Sequence, residues 1–141
     1  MDFNSQTQGK NQRIVLPELE ASNYQLFIKR EDQIHPLVSG NKFRKLKYNI
    51  QAAANNKHKK LLTFGGAYSN HILATAVAGK LQNFKTIGII RGDELGQDLS
   101  KTLATNFTLR AAYEHGMKFE FISRETYRNK TTIDFTETLH K

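Results

Sequence analysis

Between Leu61 and Ile122 short runs of β-forming residues alternate with longer helical stretches, and glycines mark the changeovers. Leu61-Leu62-Thr63-Phe64 ends at Gly65-Gly66, and Thr86-Ile87-Gly88-Ile89-Ile90 is closed by Gly92. Met117 to Ile122 forms a third such run. Short apolar runs bounded by glycine read as buried strands. The intervening stretches predict helices over Ile72–Leu81, capped by Ser69-Asn70, and over Leu99–His115, ended by Gly116. A β-α-β-α-β order predicts strands 61–64, 86–90 and 118–122 side by side and parallel, joined by right-handed crossovers. The expected fold class is α/β, a three-layer parallel sheet with helical crossovers.

The first part of the chain is less regular. Residues 1–23 read as a polar arm, and Tyr24 to Arg30 as a short strand. Asp32 to Gly40 carries Pro36 and Gly40 and reads as a loop. A helix is expected from Asn41 or Lys42, with Asn41 as its cap, and Leu46, Ile50 and Ala53-Ala54 recur along it up to Asn55-Asn56. Leu26, Ile28, Leu37 and Val38 have few local partners, so exposed apolar surface that promotes association is expected around residues 24–50. Thr131 to Lys141 reads as the start of a further helix.

Composition excludes several function classes. The chain has no cysteine, which removes a disulfide framework, a thiolate zinc site and a cysteine nucleophile. No histidine/carboxylate cluster has metal-ligand spacing. The first ten residues are polar and lack a signal-peptide core, and no window approaches about 18 consecutive apolar residues, so a cytoplasmic protein is expected. The formal charge of +8 is spread along the chain. Its densest run, Asn55 to Lys60, reads as a solvated turn, and no nucleic-acid module is recognisable. Neither nucleic acid nor membrane is an expected partner.

Two motifs can carry chemistry. In Ser39-Gly40-Asn41-Lys42-Phe43-Arg44-Lys45-Leu46 a lysine falls in the first turn of a helix, directly after a glycine loop. The positive helix end and the neighbouring Arg44 and Lys45 disfavour its ammonium form. A lysine so placed suits Schiff-base chemistry, where the free amine is the nucleophile. The plainer reading is an exposed basic helix start, and spacing alone favours it. In the second motif the turn Gly65-Gly66-Ala67-Tyr68 feeds Ser69-Asn70-His71 at a helix start. Free backbone N–H groups there make an anion site at the end of a parallel strand, and Ser69 and Asn70 add side-chain donors. The plainer reading is an ordinary strand-to-helix turn with a capping residue. Neither a dinucleotide fingerprint nor a P-loop is present.

Taken together, the motifs resemble one family. The segment from Lys29-Arg30-Glu31-Asp32 through His35-Pro36-Leu37 to Gly40-Asn41-Lys42-Phe43-Arg44-Lys45 is similar to the cofactor-lysine segment of the D-cysteine desulfhydrase / 1-aminocyclopropane-1-carboxylate (ACC) deaminase family. Thr63-Phe64-Gly65-Gly66-Ala67-Tyr68-Ser69-Asn70-His71 resembles its serine-asparagine loop, and Asn106-Phe107-Thr108-Leu109-Arg110 and Glu114-His115-Gly116-Met117 resemble later segments. The resemblance implies a fold type II pyridoxal-phosphate enzyme that releases ammonia and a 2-keto acid from a small amino acid, and a homodimer for the full-length enzyme. It implies Lys42 as the residue that holds pyridoxal 5'-phosphate and moves the proton at the substrate's α-carbon. Asn70 would bond the cofactor's ring hydroxyl. Ser69, with the backbone of Asn70 and His71, would bind the substrate carboxylate and also assist proton transfer as a second catalytic residue, and Lys45 would be a supporting cation. Family members run to about twice this length by the same resemblance. It therefore implies residues 1–45 as an arm and the start of the larger domain, residues 46–141 as a smaller α/β domain, and a truncated, inactive fragment overall. A small basic α/β domain that binds an anionic ligand or nucleic acid is the competing expectation.

Overall fold

The computed structural model describes residues 9–38, 40–131 and 135. Ser39 and most of the helix expected over residues 131–141 lie outside them.

The expected parallel sheet is present. Strands β3 (Lys60–Gly66), β4 (Lys85–Arg91) and β5 (Met117–Ile122) lie in the order β3-β4-β5, with both pairs parallel. Helix α3 (Asn70–Leu81) crosses from β3 to β4. Helices α4 (Leu99–Thr105) and α5 (Phe107–Glu114) cross from β4 to β5, and Gly116 at φ 86° ends α5. Side chains alternate across a strand, so the sheet presents two faces. Gly65, Thr86, Ile90 and Met117 turn toward α3 and α5, where Ile72, Val77 and Leu109 complete the core. On the opposite face Phe64 meets Tyr127 of α6 (Arg124–Arg128) at 6.2 Å and Phe135 at 6.1 Å. The sheet is therefore covered on one face by α3 and α5, and on the other around Phe64, while Leu62 on that second face stays exposed.

Helix α3 is buried from Ile72 to Gly79 on every side. A helix apolar all round needs neighbours all round, and α3 has α2, α5, β3 and β4. Its small residues allow that closeness. A Cβ added at Gly79 would lie 2.2 Å from Thr86 Cγ2. Alanine in a helix normally gains about 1 kcal/mol over glycine. Here overpacking, at roughly 1–3 kcal/mol, opposes that gain. Gly79→Ala should therefore lower the urea midpoint, and adding Thr86→Ser, which deletes the clashing methyl, should restore it.

Helix α2 (Asn41–Asn55) buries Leu46, Ile50 and Ala53 as expected and Phe43 besides, leaves Ala54 exposed, and packs on α3. The region before it departs from expectation. Residues 1–23 are not simply an arm: β1 (Asn11–Ile14) pairs antiparallel with β2 (Leu26–Lys29), and Pro17 opens α1 (Pro17–Ala21). Proline at a first helical position supplies the start signal. The polar composition of the arm hides β1, because both strands are mostly exposed and lack an alternating pattern. Leu26 and Ile28 are exposed, as expected, and so is Phe27. Val38 corrects the same expectation: it is fully buried, and Leu37 packs partly buried against the core. The loop folds back onto α2, so these residues find long-range partners that local sequence does not reveal. No helix among the described residues is long and apolar enough to cross a membrane.

Candidate functional site

A short turn joins α2 to β3, so α2 runs back along the sheet and starts where β3 ends. Helix α3 starts from that same end. The N-termini of α2 and α3 therefore meet at the C-terminal edge of the sheet, where open parallel sheets place their ligands. Helix α5 also contributes its first residue. A cavity of about 390 Å³ lies between them. Gly40, Asn41, Lys42 and Asn70 are the polar residues of its lining, and Pro36, Leu37, Leu73 and Phe107 the apolar ones. Lys42 and Asn70, 28 positions apart in sequence, thus line one cavity.

Lys42 is positioned by a tightly tied loop. Gly40, not Asn41, is the cap residue of α2, at φ 59° and ψ −142°. That combination of angles is close to a region open almost only to glycine. Gly40 has no side chain, so the cap residue itself makes no side-chain bond to the first turn of α2. Asn41, released from capping, accepts a hydrogen bond from Lys42 Nζ at its Oδ1. Gly40 N–H donates to Glu31 O at 3.0 Å. His35 Nδ1 accepts from the backbone N–H of Leu37 at 3.1 Å and of Val38 at 3.0 Å. Arg44 corrects one part of the sequence argument. It donates to both carboxylate oxygens of Glu31, at 2.7 and 2.9 Å, and this pair holds the Glu31 carboxyl below its ordinary range. Its charge is engaged away from Lys42.

The second motif is arranged as a helix start should be. Ser69 caps α3, its Oγ accepting from His71 N–H at 3.3 Å, and Thr75 Oγ1 donates to His71 O at 2.8 Å. A hydroxyl that accepts one bond still has its own hydrogen to donate. Ser69 is not among the residues lining the Lys42 cavity; it sits beside Asn70, which is. The His71 ring turns elsewhere, into a neighbouring cavity of about 350 Å³ with Asn49, Thr63 and Thr75. Burial, then the charges of Lys42 and Lys45, lower the His71 pKa below the ordinary histidine value. Lys45 is exposed and lines neither cavity. Among the described residues no group of three His, Asp or Glu side chains is placed to hold a metal.

His35 is held below the ordinary histidine value of 6.5, chiefly by burial. The folded state therefore favours neutral imidazole at His35 and His71, and the unfolded chain takes up protons first as pH falls. Their contribution to stability is complete above about pH 6.5 and is lost on acidification below it. Protonating His35 Nδ1 also removes the acceptor of two N–H bonds. The urea midpoint should fall between pH 7 and pH 5, with a shallower fall in His35→Gln. An equal slope in the two proteins contradicts this role for His35.

Sequence reasoning missed one wall of the site. A single helix was expected from Leu99 to His115, but Asn106 divides it. Its backbone is extended at φ −117° and ψ 103°, and its Oδ1 accepts from Leu109 N–H at 2.9 Å. Asn106 thus ends α4 and caps α5, and it places Phe107 on the cavity. The signal was there in Thr105-Asn106-Phe107-Thr108, three modest helix formers around a preferred cap residue.

No family model matches the chain. Among curated proteins it is 34% identical, over 103 residues, to the mitochondrial bifunctional D-cysteine desulfhydrase/1-aminocyclopropane-1-carboxylate deaminase of Arabidopsis thaliana. That match covers 73% of this chain and 25% of the relative. Proteins provisionally named 1-aminocyclopropane-1-carboxylate deaminase match at 35% identity in Pyrococcus furiosus, over 49% of this chain and 21% of the relative, and at 33% in Thermotoga maritima, over 53% and 24%. A crystal structure described as that of the ACC deaminase homologue superposes with a TM-score of 0.52 at 25% identity, covering 83% of this chain and 42% of that one. The chain therefore spans about a quarter of the length of the curated relatives it matches.

Proposed function

From a chain related to the D-cysteine desulfhydrase / ACC deaminase proteins over part of their length, we propose the cofactor-lysine portion of a pyridoxal-phosphate-dependent enzyme. It acts on a small amino acid, D-cysteine or ACC in type, with ammonia and a 2-keto acid as products. The observation that carries this reading is the shared cavity of Lys42 and Asn70 at two converging helix N-termini.

The residues present fit the cofactor. The cavity lining combines an amine with apolar residues suited to a flat ring, and the positive N-terminal end of α2 favours anions. When bound, pyridoxal phosphate supplies an aldehyde that captures amines and a ring that accepts electron density from the substrate's α-carbon. Lys42 is the amine that holds the aldehyde and the base that moves the α-proton. Asn70 bonds the ring hydroxyl. Ser69 Oγ–H and the N–H of Asn70, a first helical residue without an intrahelical partner, bind the substrate carboxylate, helped by the positive end of α3. His71 contributes its backbone, and its ring, kept neutral, adds no competing charge.

The division into residues 1–45 as the start of a larger domain and 46–141 as a smaller one belongs to the same proposal. The separate β1-β2 and β3-β4-β5 sheets support it. So does the proposal that these 141 residues alone are catalytically inert, since they match only a quarter of the relative's length. A chimera tests both. Residues 24–131 replace the matching segment of the Arabidopsis relative, and keto acid released from D-cysteine and from ACC is measured. The chimera should turn over one of them, while the bare chain stays at the free-cofactor background. A folded but inert chimera contradicts the functional reading, and turnover by the bare chain contradicts the claim of inertness.

A further inference from the structure

We propose that Phe107 is a cofactor-contacting residue: the break between α4 and α5 exists to hold its ring against the flat face of an aromatic aldehyde captured by Lys42. The proposal rests on the functional reading above and adds to it a residue from a third helix.

Four observations lead there. Phe107 is 62% exposed, although the core beneath it has closed around Leu109 and Ala112, so it does not serve packing. It is held in place from below. The Arg110 guanidinium lies 5.9 Å from the ring centroid, and its Nη1 donates to Leu103 O at 3.3 Å and Ala104 O at 3.1 Å, the free carbonyls at the end of α4. An exposed aromatic ring fixed by a cation that is itself fixed is a preformed contact surface. The helix start that presents it is fixed in place: Asn106 is 4% exposed, and its Oδ1 caps α5 by accepting from Leu109 N–H at 2.9 Å. Finally, Phe107 lines the same cavity as Lys42 and Asn70. Pro36, Leu37 and Leu73 join it in that lining, so the cavity offers apolar surface together with the amine. A planar heteroaromatic aldehyde with polar substituents uses both kinds of surface. A small aliphatic aldehyde uses little of the apolar surface.

The test compares two probes on the full 141-residue chain. Pyridoxal phosphate and glyoxylate are each incubated with the protein, reduced with borohydride, and the labelled peptides quantified by mass spectrometry. In the unaltered chain both should label Lys42 preferentially. Phe107→Ala should lower pyridoxal-phosphate labelling at Lys42 roughly three- to tenfold, the scale of one lost ring contact. Glyoxylate labelling should be unchanged. Phe107→Tyr should retain both. Circular dichroism should match throughout, because the ring is mostly exposed; in case Phe107→Ala perturbs the helix, Phe107→Leu preserves bulk and should still show the selective loss. Equal pyridoxal-phosphate labelling of Lys42 in Phe107→Ala overturns the proposal while leaving the role of Lys42 intact. A parallel loss with glyoxylate overturns it too, by showing a general disturbance of the cavity. An unaltered chain with no preference for Lys42 overturns the functional reading and this proposal with it.

Discussion

Lys42→Ala in the chimera should lower keto-acid release by roughly 10²–10⁴-fold, the usual weight of a positioned proton-transfer group, with a greater loss where covalent anchoring of the cofactor also fails. Lys45→Ala is the matched control. Both lysines lower the His71 pKa, so each variant removes one nearby positive charge. Only Lys42 lines the cavity. A purely electrostatic role therefore predicts similar losses from the two variants, whereas a chemical role predicts a large loss from Lys42→Ala and a loss of only a few-fold from Lys45→Ala. Lys42 is half-buried at the first turn of α2, so neither variant should move the urea midpoint much.

One residue further on, the expectation reverses. Phe43 is fully buried and belongs to the core cluster with Val38, Leu46 and Ile72. Deleting a buried phenyl ring costs about 3–5 kcal/mol, from lost burial and from the cavity left behind. Single domains are stable by only about 5–15 kcal/mol. Phe43→Ala should therefore bring the protein close to unfolding at 37 °C, and Phe43→Leu should cost much less. Near-native urea midpoints for Phe43→Ala contradict the packing described here. Lys42 and Phe43 thus separate site from scaffold: adjacent residues, one facing the cavity and one the core, because successive helical positions point about 100° apart.

Much of this was legible in the sequence, for physical reasons. β4 is the central, mostly buried strand, so its apolar run and closing glycine had to be written in full, and the parallel order of β3, β4 and β5 follows from the helices between them. Ser69 as the cap of α3 could be read from its residue type and position. The failures at Gly40 and Val38 come from a loop whose own hydrogen bonds no residue type announces, whereas at Asn106 a local cap signal outweighed helical periodicity. Gly40 took the cap of α2 from Asn41 because the loop from Glu31 to Gly40 is tied by Glu31 O and His35 Nδ1, and nothing local announces those bonds. Val38 was expected at the surface and is in the core for the same reason. Asn106 split a helix that periodicity alone would run through. The strand pair β1-β2 was half visible, because β2 has β-forming residues and β1 does not. The two motif residues that meet, Lys42 and Asn70, were each weak signals alone. Their shared cavity is a tertiary fact, and Phe107 on its far wall belongs to the same class.

The central claim is that Lys42 is the amine that captures the cofactor. It is tested most directly by incubating the chain with a limiting amount of pyridoxal phosphate, reducing with borohydride, and mapping the modified lysines by peptide mass spectrometry. The account predicts that the peptide containing Lys42 carries most of the label, that inorganic phosphate competes little, and that Lys42→Ala leaves only scattered surface labelling. Label concentrated at Lys45, or spread evenly over the lysines with no change in Lys42→Ala, contradicts it.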